Sequence, residues 1–197
     1  MPPCSTPKTE RRTPGGALLA ALLLVVLAAC AAPTPTAAPT PPGSAIDWQR
    51  QGHQLRREEA FDDAISAYQN ALALDPNNIE ANAGLGAALL ATGQAEAAIV
   101  PLQRATELAP AHFWSHRLLG SAYLGLQRYP LAAAELTQAY VLKPDDLQVL
   151  IGIALAQGRS GRRELALRTI VQLRARTTDP DLLAAAEALQ REFAANE

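Results

Sequence analysis

From residue 45 onward the apolar residues recur three and four apart, the spacing that lays one apolar stripe along a helix. No stretch shows the strict one-in-two alternation of a half-buried strand. The stripe is interrupted at regular intervals. Asp75-Pro76-Asn77-Asn78 is a stop signal, because the residue before a proline is pushed out of helical geometry and asparagine favours turns and caps. Pro110 and Pro144 stand at the same place in the next two cycles. The pattern predicts helices over 46–58, 61–74, 79–92, 95–108, 113–126, 129–142, 147–158 and 162–175. A last helix is expected over 181–194, opened by Asp179-Pro180-Asp181, with proline in its first turn and acids at its positive end. The predicted class is all-α.

The cycle is 34 residues long. Gly52, Gly86, Gly120 and Ala154 lie 34 apart, as do Ala64, Ala98, Ala132 and Ala166. Both columns are small throughout, whereas Tyr68, Leu102, Leu136 and Ile170 form a large apolar column, and Ala71, Ala105 and Ala139 give a further small one that Leu173 breaks. Small residues let helix backbones approach, and a large neighbour fills the space beside them.

These columns resemble the tetratricopeptide repeat, matched by Trp48, Gly52, Ala64, Tyr68, Ala71 and Pro76, then Leu85, Gly86, Ala98, Ala105 and Pro110, then Leu119, Gly120 and Tyr123. The resemblance implies a right-handed α-solenoid of stacked antiparallel helix pairs. Three clear repeats span 45–78, 79–112 and 113–146, a degenerate fourth spans 147–180, and a capping helix covers 181–194, all within a domain of residues 45–195. Pro101 is a departure, since a proline inside a helix costs about 3 kcal/mol or a kink. Pro130 falls in a first turn, where its missing donor is not needed.

The first 44 residues read as an address and a tether. Lys8, Arg11 and Arg12 precede an apolar run from Ala17 to Ala29, shorter than the roughly 20 residues a membrane-spanning helix needs. Leu27-Ala28-Ala29-Cys30 at its end resembles the lipobox of bacterial lipoproteins. That resemblance implies a signal peptide over 1–29 and lipidation of Cys30, with an uncleaved anchor and an ordinary cleaved secretory signal as alternatives. Two or three acyl chains hold a protein stably on a bilayer, where one does so marginally. The Ala31 that follows permits outer-membrane sorting if the host has two membranes. Arg11-Arg12 is followed by Thr13-Pro14-Gly15, without the apolar residues of a twin-arginine signal. Residues 30–44 then form a proline- and threonine-rich spacer, extended at about 3.1 Å per residue.

Composition narrows the chemistry. A net charge of −2, or −4 without residues 1–29, does not suit a nucleic-acid binder. Arg159, Arg162, Arg163, Arg168, Arg174 and Arg176 form a late basic cluster that reads as a solvated helix face, or as a contact for phosphate or an acidic partner. The two cysteines, Cys4 and Cys30, precede the repeats, so the repeats carry no disulfide or cysteine metal site. No phosphate loop, nucleophile elbow or His-Glu-x-x-His motif is present. His112 and His116 stand four apart, but His112 falls in a turn and His116 in the Trp48 column, so both read as structural. No catalytic residue, cofactor or metal is expected.

The resemblance places the first helix of each repeat along a concave groove. It would present Gln49, Arg50, His53 and Arg57, then Ala83 and Ala87, then Trp114, Arg117, Ser121 and Leu124. Trp114 and Arg117 are the expected anchors, because tryptophan and arginine dominate interface hot spots. The carboxylate clamp of some family members is not expected where Ala83, Ala87 and Leu124 stand. The sequence thus points to an exported, lipid-anchored, non-catalytic scaffold that binds a protein or peptide, assisting an envelope or pilus complex. Self-association, or service as an accessory subunit of an envelope enzyme, is the alternative.

Overall fold

The structure, a computed structural model, describes residues 43–194. The expected signal peptide, Cys30 and the expected spacer up to residue 42 lie outside the described residues, as does residue 195. Among the described residues there are nine helices and no strand: α1 (Ala45–Arg57), α2 (Phe61–Leu74), α3 (Ile79–Ala91), α4 (Ala95–Leu108), α5 (Phe113–Gly125), α6 (Tyr129–Leu142), α7 (Gln148–Arg159), α8 (Arg163–Arg174) and α9 (Pro180–Ala194). Each boundary lies within one residue of that predicted from the apolar spacing and the stop signals. None of these helices is long and apolar enough to cross a membrane.

Two kinds of turn alternate, each with a repeated cause. Within a pair, the first helix ends on a residue in the left-handed region, at Glu59, Gly93, Gln127 and Gly161 in successive cycles. The next amide then reaches back over the helix end, Ala60 to Leu55, Gln94 to Leu89, Arg128 to Tyr123 and Arg162 to Gln157, at 2.8 to 2.9 Å. This bond satisfies a carbonyl that a helix end leaves without a partner. Between the first three pairs and their successors, the chain leaves the helix in extended geometry at Asp75, Ala109 and Lys143, each followed by proline. Ser44 and Asn78 cap α1 and α3 through their side chains.

Each helix packs on the next in sequence, and the first helices of successive pairs also touch: α1 with α3, α3 with α5, α5 with α7. The second helices, α2, α4, α6 and α8, make no such backbone approach to one another. The stack is therefore close on the face of the first helices and splayed on the other. The small columns explain the close side. A Cβ added to Gly52 would stand 2.7 Å from the Tyr68 ring, one on Gly120 would stand 2.5 Å from Leu136 Cγ, and one on Gly86 would overlap Leu102. Each of these large residues enters the backbone notch of its partner helix and is fully or almost fully buried. The fourth pair sets Ala154 in the glycine column and Ile170 in the large one, both buried.

Helix α9 closes the end of the stack against α7 and α8, burying Leu182, Ala186, Leu189 and Phe193 from one stripe. A Cβ on Gly158 would overlap the Phe193 ring, so α9 is keyed to α7 by the same large-into-glycine device. Helix α4 runs through Pro101, which is buried and leaves the Ala97 carbonyl without its helical donor. His112 and His116 do not converge on a metal. His116 lies 2.8 Å from Glu135 and 3.0 Å from the Pro110 carbonyl, while His112 meets Ser115 and Glu80. No cluster of three potential ligands occurs among the described residues.

Gly120→Ala should destabilise the fold by about 1–3 kcal/mol through overpacking, whereas Gly43→Ala, with nothing within 4 Å, should leave it unchanged. Urea unfolding followed by circular dichroism reads both. Adding Leu136→Val to Gly120→Ala should recover part of the loss if the notch and its occupant are complementary.

Candidate functional site

The tight face of the stack carries a half-enclosed cavity of about 310 Å³ spanning α1, α3 and α5. Ala83, Gly84 and Ala87 of α3 make its floor, His53 and Arg56 of α1 one wall, and Trp114 and Leu118 of α5 the other, with Glu80 and His112 between them. The small floor has a structural cause. Tyr68 of α2 passes between α1 and α3, and a Cβ on Gly84 would collide with its ring. The close approach that packs the core therefore also keeps Gly84 without a side chain in a floor otherwise made of the Ala83 and Ala87 methyl groups.

A hydrogen-bond chain sets the α1 wall. The Asn78 side-chain oxygen accepts from the Ala81 amide at 2.9 Å, so its nitrogen faces Gln49 and donates to Oε1 at 3.0 Å. That leaves the Gln49 nitrogen, which can only donate, 3.4 Å from His53 Nε2. His53 Nε2 is then the acceptor, and Nδ1 carries the proton toward the Tyr68 oxygen at 2.9 Å. The helix cap of α3, the wall of α1 and the core tyrosine of α2 thus share one network. Burial, and then the nearby Arg56 charge, hold the His53 pKa below 6.5; burial likewise raises the Tyr68 hydroxyl above 10.

The α5 wall is an aromatic platform. Trp114 is 50% exposed, meets the edge of Phe113 at 5.1 Å, and has the Arg117 guanidinium 5.1 Å and the Lys143 ammonium 5.9 Å from its ring centre. Arg117 is itself held by Asp146 at 3.7 Å. The indole is thus positioned before any ligand arrives, which lowers the ordering cost of binding.

Of the residues expected in the groove, His53, Ala83, Ala87 and Trp114 line this cavity. The others lie around it. Gln49 orients His53, Arg50 pairs with Asp47, and Arg57 donates to Gln54. Arg117 supports Trp114, and Ser121 donates to the Arg117 carbonyl. Leu124 is packed against the core. Arg56, Glu80, Gly84, His112 and Leu118 were missed by the sequence reading. Gly84 and Leu118 are one period apart, Gly84 three residues before Ala87 and Leu118 four after Trp114, a helical signal that could have found them.

The proton on His53 has a pH consequence. With its folded pKa depressed, the unfolded chain binds more protons below pH 6.5. The stabilisation is therefore fully present above the unfolded value and is lost as pH falls toward the folded one. An NMR titration of the His53 ring should give a midpoint below 6.5, and Arg56→Gln should raise it. A midpoint at or above 6.5 in the unaltered chain would contradict the neutral, part-buried acceptor.

Residues 55–115 match the family model of the tetratricopeptide repeat. Superkiller protein 3 of Saccharomyces cerevisiae is 42% identical over 60 residues, 30% of this chain, and the chain spans about 4% of the length of that relative. Among solved structures, YrrB, described as a TPR protein with an unusual peptide-binding site, superposes with a TM-score of 0.67 at 20% identity, over 78% of this chain and 80% of its own. MamA from Desulfovibrio magneticus RS-1 does so with 0.63 at 22%, over 67% and 75%. The first TPR of Spaghetti (RPAP3), bound to an HSP90 peptide, gives 0.56 at 18%, over 58% and 90%. Together with the nine helices and the 34-residue columns, these matches show that the described residues adopt the all-α solenoid fold of tetratricopeptide-repeat proteins.

Proposed function

We propose that the chain is a non-catalytic scaffold, tethered to a membrane through acylated Cys30, whose concave cavity captures an extended or helical segment of a partner protein. The observation that carries this reading is the cavity itself: a floor of Ala83, Gly84 and Ala87 beneath a half-exposed, pre-positioned Trp114. A floor of one glycine and two alanine methyl groups admits a ligand backbone, and an exposed indole supplies a large contact area at low entropic cost. Peptide recognition by YrrB and by the RPAP3 repeats supports the same use of the fold.

The site carries no arrangement for catalysis. His53 is committed to Gln49 and Tyr68, and the hydroxyl that His112 meets, that of Ser115, is fully buried and out of reach of a bound substrate. The proposed role is therefore display of a groove at a distance set by the spacer, in service of an envelope or pilus complex.

Two measurements on the native host test the two halves separately. Mass spectrometry of the membrane fraction should show an acylated Cys30 as the new N-terminus, lost when signal-peptide cleavage is blocked with globomycin. An intact, unacylated N-terminus would remove the tether and leave the groove. Crosslinked pull-down should return a recurring envelope protein whose affinity falls by about 2 kcal/mol or more in Trp114→Ala. A partner retained equally by that variant would show that the cavity is not its site.

A further inference from the structure

The splayed side of the solenoid carries a second cleft. Arg128 precedes α6 and reaches back across the gap between second helices to Glu96 of α4, with both carboxylate oxygens at 3.0 to 3.2 Å. One period later, Arg162 precedes α8 in the same position. The residue one period after Glu96 is Pro130, which has no charge to offer. Arg162 and Pro130 line a common cleft of about 710 Å³ between α6 and α8, and the Arg162 side chain has no ion pair or hydrogen bond among the described residues. The cleft thus supplies the cation and omits the acid at the Glu96 position, and the carboxylate that does line it, Glu135, is held by His116 at 2.8 Å.

The surroundings add an apolar component. Leu165, 42% exposed, and Ala133 and Ala134 share the cleft with Arg162. On the other side of Leu165 lies a shallow depression where Arg162 is joined by Arg168 of the same helix, which is also exposed and without an ion pair among the described residues. The rest of the basic cluster is occupied within the chain. Arg159 pairs with Glu192 at 2.9 Å, Arg174 donates to Gln190 at 2.8 Å, and Arg176 donates to Tyr140. Farther along α6 and α8, Gln172 donates to Tyr140 at 2.8 Å, so the two helices are bridged at the end away from Arg162.

We propose that the cleft between α6 and α8 is a second docking site, for a protein segment that sets an aspartate or glutamate against Arg162 and a large apolar side chain against Leu165. The carboxylate takes the place that Glu96 fills one repeat earlier, and the apolar side chain removes Leu165 from water. Contact with the leucine supplies the burial, while the charge fixes register and rejects basic segments. A bilayer surface fits less well, because the cation stands at the mouth of a concave cleft rather than on a convex ridge.

The test uses the full chain in detergent micelles with Trp114→Ala throughout, so that the concave cavity does not compete. Random 12-residue peptides displayed on phage are selected on it after depletion on the same chain carrying Arg162→Glu. Enriched sequences should place Asp or Glu near Leu, Ile, Met or Phe. Their synthetic copies should bind about tenfold more weakly to Arg162→Glu, more weakly to Leu165→Asp, and recover on Arg162→Glu when the peptide acid is changed to Lys. Unchanged melting temperatures keep these losses from being read as unfolding. Failure to enrich any sequence, enrichment without acids, or equal binding to Arg162→Glu would overturn the proposal. So would Arg162-dependent binding confined to vesicles containing anionic phospholipid, or Arg162-dependent dimerisation in light scattering, which would assign the cleft to lipid or to a second copy.

Discussion

The structure depends on one steric arrangement, a large side chain of each second helix seated in the backbone notch of the first. Tyr68 enters at Gly52, Leu102 at Gly86 and Leu136 at Gly120, and in each case a single added carbon would collide. Close backbone approach maximises dispersion contacts and removes the large side chain from water, which favours one inter-helix distance and register over others. Because the device recurs every 34 residues, the same geometry is stamped on successive pairs and the stack grows by repetition. The capping helix uses it too, with Phe193 against Gly158.

The same constraint makes the two faces of the solenoid unlike. The first helices approach one another because their facing residues are small, and Tyr68 reaches through the layer between α1 and α3 until its hydroxyl meets His53 in the groove. Core packing and site chemistry therefore meet in one residue. On the opposite face, the second helices stand apart and are bridged by long side chains, Arg128 to Glu96 in one place and Gln172 to Tyr140 in another. Exposed pairs of this kind contribute little to stability, typically under about 1 kcal/mol. Their substitution is cheap, so this face can vary from repeat to repeat while the fold is kept.

Repetition also exposes the exceptions. The turn residue in left-handed geometry is glycine in two cycles but Glu59 and Gln127 in the other two, where the back-bonded helix end imposes a conformation the side chain does not favour. Pro101 breaks a helical hydrogen bond, yet α4 continues, because its neighbours Ile99, Leu102 and Ala105 are held in the core. Local propensity is overridden wherever tertiary packing already determines the helix axis.

The all-α class, the 34-residue cycle and the helix boundaries were legible in the sequence. They rest on local causes: apolar spacing, prolines after the helix stops, and columns of small and large residues that any one repeat discloses when set beside the next. The candidate site was legible only in part. Trp114, His53, Ala83 and Ala87 could be placed on the groove by period, but Arg117 and Gln49 support their neighbours, and Leu124 packs, partly buried, against the core. Which charge finds a partner depends on residues 20 to 40 positions away, such as Asp146 for Arg117 or Glu192 for Arg159. Spacing along a helix determines which face a residue takes. Only the tertiary structure decides what stands opposite it, because crossing angles and side-chain reach across helices are set by the whole stack.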